Sequence, residues 1–295
     1  MRVLVTGAGG QVGRELFRST WPAGTQVKFV SHYELDISDP EAVRRTIEPP
    51  LDLVVNAAAY TAVDRAENEC ELAHRVNAEG AGLLASRCQE LEIPLIHLST
   101  DYVFDGKRSS PYVEEDEPSP LSVYGESKLA GEAAVRSGLD AHLILRTASV
   151  FSEFGQNFVI SMLRLSAERP TLGVVADQQS CPTAASDLAA VIVLLAQRIS
   201  RHESEPRWGT YHFCGQPPVT WLHFAQRIFE LALDFGMATP ELRPITMAEY
   251  PALARRPVYS ALDCSKIATF GIPIPSWAAQ LPNVISAICG RRFPA

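Results

Sequence analysis

The chain has 295 residues, of which 46% are hydrophobic and 20% are charged. This composition excludes wholesale intrinsic disorder, and the length suits one large domain with a smaller lobe attached. The net charge of -8 leaves no broad basic surface, which argues against nucleic acid polymers and anionic membranes as partners.

The first residues lack the apolar run of a secretory signal, and no later run reaches membrane-spanning length. We therefore expect a cytoplasmic location. The cysteines contain no Cys-x-x-Cys pair, so they predict buried free thiols and no local zinc or redox motif. They are Cys70, Cys88, Cys181, Cys214, Cys264 and Cys289.

Short apolar runs alternate with helix-like segments through the first half of the chain. The runs are Val3–Val5, Val27–Val30, Leu53–Val55, Leu95–Leu98 and Leu143–Leu145. A repeated β-α order predicts a parallel sheet covered by helices on both faces, that is, an α/β doubly wound fold. Asp39 followed by Pro40 predicts a capped helix start.

A glycine-rich turn follows the first strand directly and leads into a helix-like stretch. Such a turn brings backbone close to a pyrophosphate, and the free N–H groups of the helix start bind it. The pattern therefore predicts a Rossmann-like dinucleotide site. Its candidate cofactor-binding residues are Gly7, Gly10, Gln11, Val12 and Gly13.

The second strand ends in Ser31-His32, without the carboxylate that usually accepts hydrogen bonds from the adenosine ribose of NAD. This favours NADPH as the cofactor, with NADH also possible, and makes His32 a candidate donor to the 2′-phosphate. Asp36 and Ile37 either frame the adenine or, in the case of Asp36, form a local cap. Ala57, Ala58 and Ala59 follow the third strand and are expected to lie against the cofactor, although core packing also demands small residues.

Tyr124 and Lys128 are four residues apart, which places both on one face of a helix that Ser122 can cap. A neighbouring ammonium is expected to lower the tyrosine pKa and make proton transfer efficient. Thr100 ends the fourth strand, where its hydroxyl can stabilise a developing oxyanion. A solvated pair and a strand-end cap are the alternative readings of these residues.

The alternation of apolar runs with helix-like segments ends after about Thr147. Beyond it, helical spacing recurs around 158–167, 185–196 and 221–233 without long strands between. We assign residues 1–148 to the NAD(P)-binding Rossmann domain and expect 174–203 to pack back onto it. Residues 149–173 and 204–295 are expected to form mainly a smaller mixed α/β substrate lobe.

These segments together resemble the dTDP-4-dehydrorhamnose reductase family of extended short-chain dehydrogenases. The matching segments are Gly7–Gly13, Asn56–Asp64, Ser99–Gly106, Tyr124–Glu132, Arg146-Thr147, Asp177-Gln178, Pro182-Thr183 and Arg255–Pro257. The resemblance implies reduction at C4 of a nucleotide-linked 4-keto-6-deoxy sugar, most simply dTDP-4-dehydro-L-rhamnose. Thr100, Tyr124 and Lys128 match the catalytic positions. Tyr124 and Lys128 are also candidate cofactor-binding residues, and Lys128 is expected to hold the nicotinamide ribose.

The resemblance also implies a substrate site. Asp101 and Tyr102 would lie on the sugar side, and Arg255 and Arg256 would approach the diphosphate. Ser149 stands where the family commonly has a Trp against the sugar, and Tyr259 is the candidate to replace that wall.

Some family members bind magnesium at a dimer contact through glutamates. Glu15 matches one of these, but Ser186 stands where another would be. We therefore predict no metal, and a homodimer is left open.

Four other functions compete with this interpretation. A dehydratase needs a carboxylate pair after the threonine, whereas Asp101 is followed by Tyr102, and an epimerase generally keeps the acidic residue at the second strand's end. A reductase of a different dTDP-4-keto-deoxysugar is left open by Ser149. A non-catalytic NADP-binding regulatory subunit is left open as well, although the intact Thr100, Tyr124 and Lys128 weigh against it.

Overall fold

The structure is a computed structural model that describes residues 1–201 and 207–292. The strands are β1 Arg2–Thr6, β2 Gln26–Val30, β3 Leu53–Asn56, β4 Leu95–Thr100, β5 His142–Thr147, β6 Val150–Phe151, β7 Thr171–Val175, β8 Gln179–Ser180, β9 Thr183–Ala184, β10 Gly209–His212, β11 Val219–Thr220 and β12 Glu241–Ile245. The α-helices are α1 Gln11–Arg18, α2 Pro40–Thr46, α3 Val63–Ala66, α4 Cys70–His74, α5 Gly80–Glu90, α6 Val123–Gly138, α7 Phe158–Glu168, α8 Ala185–Ser200, α9 Trp221–Leu233, α10 Ser265–Ala268 and α11 Trp277–Arg292. One π-helical segment, Arg75–Glu79, and two 3-10 turns, Asp101–Val103 and Met247–Glu249, complete the elements.

Six parallel strands form the central sheet in the order β10-β5-β4-β3-β1-β2. Successive side chains of a strand point to opposite faces, so each buried strand supplies two cores. Val3 and Val5 pack with α1 and α8 on one face, while Leu4 packs with α2, α5 and α6 on the other. The predicted α/β doubly wound sheet is thus confirmed.

The sixth strand, β10, pairs with β5 although the sequence analysis placed residues 209–212 in the second lobe. Its sequence Gly-Thr-Tyr-His has no apolar run, because as an edge strand it needs few buried side chains. Helix α8 packs against α1. Residues 202–206 and 293–295 of the assigned ranges lie outside the described residues.

A separate hydrophobic core holds the second lobe together. Phe151, Leu163, Phe224 and Trp277 are buried there, contributed by β6, α7, α9 and α11. Three two-stranded sheets accompany these helices: β11-β8, β12-β7 and β6-β9. The lobe stands at the carboxyl side of β5, where it can cover whatever binds at the ends of the strands.

Local signals in the sequence produce the expected helix starts. The Asp39 carboxylate accepts hydrogen bonds from the Glu41 and Ala42 N–H groups, and Pro40 occupies the first helical position. All six cysteines are free, but Cys70, at the first position of α4, is exposed and not buried as expected. Within the described residues, no helix has both the length and the apolar character needed to cross a membrane.

Candidate active site

The glycine loop is folded tightly against the backbone that follows β3. Gly7 has a φ of +70°, and a Cβ atom there would lie 2.5 Å from the Ala57 carbonyl carbon. A Cβ atom at Gly13 would lie 2.3 Å from the Gly7 oxygen, so helix α1 can start this close only with glycine. Gly10 caps α1 without a side chain, which leaves the first N–H groups available to a phosphate.

Gln11 connects this loop to the second lobe. Its Nε2 atom donates to the Val150 oxygen at 3.5 Å, and its Oε1 atom accepts from Asn157 at 2.9 Å. The Val12 side chain is buried in the core between α1 and the sheet. Any dinucleotide in the cradle would therefore contact backbone of this turn while Gln11 fixes the lobe beside it.

The end of β2 holds a carboxylate that the sequence analysis did not place there. Glu34 accepts hydrogen bonds from the Ser31 N–H and hydroxyl, both at 2.8 Å. The backbone bond and then the hydroxyl bond lower the pKa of Glu34, so it is charged at neutral pH. His32 is exposed beside it.

Asp36 and Ile37 both make local contacts within the fold. The Asp36 carboxylate accepts the Ser38 N–H at 2.9 Å and the Ser38 hydroxyl at 2.7 Å, the arrangement of a local cap. Ile37 is buried, and its side chain would meet a Cβ atom at Gly80. The Asp36 cap is therefore present, and the placing of Asp36 and Ile37 at the adenine stays a prediction.

Thr100 and Tyr124 meet where β4 ends and α6 begins. Ser122 caps α6 as predicted, because its hydroxyl accepts the Gly125 N–H at 3.2 Å. A Cβ atom at Gly125 would lie 2.3 Å from the Tyr102 oxygen, so α6 starts in contact with the turn after β4. This packing places Tyr124 beside the end of β4, where the Thr100 hydroxyl acts to lower the pKa of Tyr124.

Lys128 is buried one turn along the same helix, but it does not act on Tyr124 as expected. Its ammonium donates to the Leu98 carbonyl oxygen at 2.6 Å. Burial raises the pKa of Tyr124 to about 12, against the opposing effect of the Thr100 hydrogen bond. The expected lowering of this pKa by Lys128 is therefore wrong for this structure, and Tyr124 holds its proton at neutral pH.

Burial also lowers the pKa of Lys128 to about 8, while the charge of Glu132 opposes this fall. Glu132 lies one turn further along α6 and is fully buried. It accepts the Ser99 hydroxyl at 2.6 Å and binds Arg146 through two nitrogens, at 2.8 and 2.7 Å. The ion pair with Arg146 fixes α6 to the end of β5, and the Ser99 hydrogen bond fixes it to the end of β4. Both contacts lie close to Thr100 and Tyr124.

Asp101 is buried directly after Thr100. The Thr100 hydroxyl donates to its Oδ1 atom at 3.1 Å, and the Ser180 hydroxyl donates to its Oδ2 atom at 3.4 Å. Burial raises the pKa of Asp101 to about 6, although these hydrogen bonds oppose the rise. The Tyr102 ring packs edge-on against the Tyr124 ring, with centroids 5.8 Å apart.

A cleft of about 940 Å³ opens between Tyr102 and the second lobe. Arg255 and Arg256 line it, and Arg256 is bound to Asp64 at 2.6 Å. Their approach to a diphosphate stays a prediction. Sequence reasoning missed other lining residues, because their helices and turns come together only in the folded lobe. These include Phe158, Arg164, Arg169, Gln178, Trp221 and Tyr250.

Ser149 and Tyr259 are not among the residues that line this cleft. The Ser149 hydroxyl lies 2.9 Å from that of Ser180, and its backbone has a φ of +48°. Tyr259 is partly buried against the main core and forms a bridge with Gln179. Whether Tyr259 replaces the missing aromatic wall stays a prediction.

Among the described residues, no group of three or more His, Cys, Asp or Glu side chains is arranged to hold a metal. Glu15 is half-buried on α1, and Ser186 is the second residue of α8.

Comparison with known proteins places the chain in a family. A family model described as the RmlD substrate binding domain matches residues 1–289. The dTDP-4-dehydrorhamnose reductase of Sinorhizobium fredii is 41% identical over 98% of both chains, and that of Aggregatibacter actinomycetemcomitans is 42% identical over 96% of this chain and 98% of the relative.

Solved structures agree with this placement. The crystal structure of dTDP-4-dehydrorhamnose reductase from Bacillus anthracis in complex with NADP has a TM-score of 0.88 and 36% identity, covering 96% of this chain and 98% of the other. The chain belongs to the RmlD family of dTDP-4-dehydrorhamnose reductases, which are oxidoreductases of the extended short-chain type.

Proposed function

We propose that this chain reduces the C4 keto group of dTDP-4-dehydro-L-rhamnose to give dTDP-L-rhamnose, with NADPH as the reductant. The observation that carries the proposal is the packing of α6 against the turn after β4, which places Tyr124 by Thr100 at the same sheet edge as the glycine loop. The family relationship at about 40% identity over nearly the whole chain supports the substrate.

The glycine loop fits a dinucleotide, because Gly7 and Gly13 let the turn pack closely on its neighbouring backbone while the first N–H groups of α1 have no side-chain cap. NADPH supplies the hydride when bound. The residues that would hold it are Gly7, Gly10, Gln11, Val12 and Gly13, with Ala57–Ala59 against its other side and His32 near the 2′-phosphate.

Tyr124 is the proton donor to the C4 oxygen. Its hydroxyl keeps its proton until the oxygen gains charge, because burial disfavours the phenolate. Thr100 donates a hydrogen bond to the same oxygen, and Lys128 keeps a positive charge within the site.

The cleft receives the sugar nucleotide. Arg255 is exposed on its wall and free to meet the diphosphate, while Arg256 is held by Asp64 in a fixed position. Tyr102 lines the cleft and packs against Tyr124, and Asp101 is buried next to Tyr102 in the chain. In this arrangement residues 1–148 bind the cofactor and the second lobe binds the nucleotide.

The test is a panel of dTDP-4-keto-deoxysugars incubated with the chain and NADPH, with loss of NADPH absorbance measured for each. We expect the highest kcat/KM with dTDP-4-dehydro-L-rhamnose. A higher kcat/KM with another sugar would assign the chain to that sugar, and tight NADPH binding with no oxidation for any sugar would indicate a regulatory subunit.

A further inference from the structure

Three buried polar side chains form a row across β1, β3 and β4, at the level where β1 passes into the glycine loop. Thr6, Asn56 and His97 are paired in register on adjacent strands, and each is 1% exposed. The residues two positions before them on the same strands belong to the hydrophobic core on the α2, α5 and α6 side. They are Leu4, Val54 and Leu95. Polar groups in such surroundings are costly unless they are hydrogen-bonded, so we expect this row to have a role beyond core packing.

One atom of the row, the Asn56 Oδ1 atom, joins two segments assigned to the cofactor site. It accepts the Thr6 hydroxyl at 2.7 Å, directly before the glycine loop, and the Ala58 N–H at 3.1 Å, in the turn after β3. Gly7 packs on this turn, because a Cβ atom there would lie 2.6 Å from the Ala58 nitrogen. The Asn56 carboxamide therefore fixes the point at which the glycine loop meets the Ala57–Ala59 segment.

His97 determines which way the Asn56 carboxamide faces. The Ala58 N–H can only donate, which assigns the oxygen of Asn56 to that side and its Nδ2 atom to the His97 side. Nδ2 lies 3.0 Å from the His97 Nδ1 atom, so Nδ1 accepts and the ring proton is on Nε2. Burial, and then the charges of Lys128 and His142, hold the pKa of His97 well below its ordinary value, so the ring stays neutral.

This orientation carries a cost that core packing alone would avoid. The Nε2 atom of His97, which holds the proton, has no hydrogen-bond partner within residues 1–201 and 207–292. A buried donor without an acceptor destabilises the fold, and a leucine would fill the same core position without that loss. Packing therefore does not account for a histidine at this position, whereas the orientation of Asn56 does.

We propose that His97 is a positioning residue for the cofactor, because it holds the Asn56 oxygen toward Thr6 and Ala58. This inference rests on the NADPH site of the proposed function. His97 acts through Asn56 and not on the reacting atoms. The row joins the glycine loop and the Ala57–Ala59 segment into one surface that is ordered before NADPH binds, which lowers the free-energy cost of binding.

The experiment is a fluorescence titration of the unloaded chain with NADPH, for wild type, His97→Leu and His97→Asn. The Kd for NADPH should rise roughly 3-fold to 30-fold in His97→Leu, because the Asn56 carboxamide is then free to turn over. His97→Asn should restore most of the affinity, since its Oδ1 atom can occupy the position that Nδ1 has in histidine. The melting temperature of His97→Leu should stay within about 4 °C of wild type, because the unpaired Nε2 is removed together with the Nδ1 acceptor.

Steady-state kinetics separate positioning from chemistry. With dTDP-4-dehydro-L-rhamnose, KM for NADPH should rise in His97→Leu in step with the Kd. The kcat at saturating NADPH should stay within about threefold of wild type, because Thr100, Tyr124 and Lys128 are unchanged.

Hydrogen exchange of the unloaded chain gives a readout that does not depend on activity. The Ala58 N–H should exchange faster in His97→Leu than in wild type, measured by mass spectrometry of the peptide that contains it. The matched control is His142→Leu, at a buried histidine that begins β5 at the opposite edge of the sheet and contacts the Leu139 oxygen. It should change neither the Kd for NADPH nor the exchange of Ala58.

Thr6→Val tests the same row without altering His97. It removes the other side-chain contact of the Asn56 oxygen at nearly constant size, so it should also weaken NADPH binding. The double variant with His97→Leu should weaken binding by less than the product of the two single effects, because both act through Asn56.

Wild-type affinity for NADPH in both His97→Leu and Thr6→Val would overturn the proposal. An affinity as weak in His97→Asn as in His97→Leu, or a fall in kcat with an unchanged Kd, would also contradict it. A wild-type chain that binds no NADPH would instead overturn the proposed function, which keeps the two failures distinct.

Discussion

At the scale of single residues, the site consists of buried groups whose proton affinities are set mainly by burial. Tyr124 keeps its proton, with its pKa raised to about 12, and Lys128 is brought down to about 8. Burial acts in opposite directions on the two groups because the charged form is disfavoured in each. The unloaded site is therefore poised to donate a proton, which is the direction that reduction requires.

Replacing Tyr124 by Phe should lower kcat for reduction by about 10²–10⁴-fold, because only the proton donor is removed. NADPH binding, measured by fluorescence titration, should stay within about twofold of wild type, since the glycine loop is untouched. Retention of most of the kcat would rule out Tyr124 as the acid.

The activity should also depend on the charge of Lys128. Burial lowers the pKa of Lys128 to about 8, so kcat/KM for the sugar nucleotide should fall as the pH rises through that value. Below it the ammonium is charged and activity is maintained. A profile flat to pH 10 would show that the charge is not needed, and Lys128→Met should remove this limb of the profile.

Glu34 should limit the preference for NADPH. Its carboxylate lies 2.8 Å from the Ser31 N–H, at the strand end where the adenosine ribose binds in this fold. Glu34→Gln keeps an acceptor and removes the charge, so KM for NADPH should fall while KM for NADH stays nearly constant. Glu41→Gln, an exposed carboxylate on α2, is the matched control. Equal changes for the two cofactors would place Glu34 away from the 2′-phosphate.

At the scale of elements, the site depends on how α6 is fixed to β4 and β5. Arg146 on β5 binds Glu132 on α6, with exposed side-chain fractions of 3% and 0%. Burial raises the pKa of Glu132, but the hydrogen bonds and charge of Arg146 outweigh burial and hold it below its ordinary value. The stabilisation is therefore present above the ordinary carboxyl range and is lost as the pH falls through the lowered pKa.

Arg146→Met should lower the free energy of unfolding by about 3–5 kcal/mol, because it leaves a buried carboxylate without its main partner. Denaturant unfolding measures this. The double variant Glu132→Leu with Arg146→Met should be less destabilised, since no charge is left buried.

Arg227→Met, in the exposed pair with Glu230, is the control and should change the free energy of unfolding by less than about 1 kcal/mol. A double variant as unstable as Arg146→Met would show that packing, and not the unpaired charge, dominates.

Element by element, the sequence predicted what local pattern determines. The five apolar runs became β1–β5, and the helices around 158–167, 185–196 and 221–233 formed at α7, α8 and α9. Strand β10 was missed because four residues at a sheet edge carry no periodic signal. The π-helical segment at Arg75–Glu79 was missed for a similar reason, since a single wide turn does not alter apolar spacing enough to be read.

At the scale of the whole molecule, the parts of the site that join distant segments could not be read from the chain. The contact of Ser180 with Asp101 spans 79 residues, and that of Arg256 with Asp64 spans 192. The Lys128 side chain points to the Leu98 oxygen in a rotamer that the packing around it sets. The motifs located the candidate catalytic residues. The hydrogen bonds that join distant segments form only when the second lobe packs against the edge of the sheet.

The most direct test of the account is transfer of deuterium from NADPH labelled at C4 of the nicotinamide, in the position that is transferred, to dTDP-4-dehydro-L-rhamnose. The product is examined by NMR. The account predicts one deuterium at C4 of the sugar for each NADPH oxidised, and no transfer in Tyr124→Phe above about a hundredth of the wild-type rate. Unlabelled C4, deuterium at another carbon, or NADPH that binds without being oxidised would contradict it.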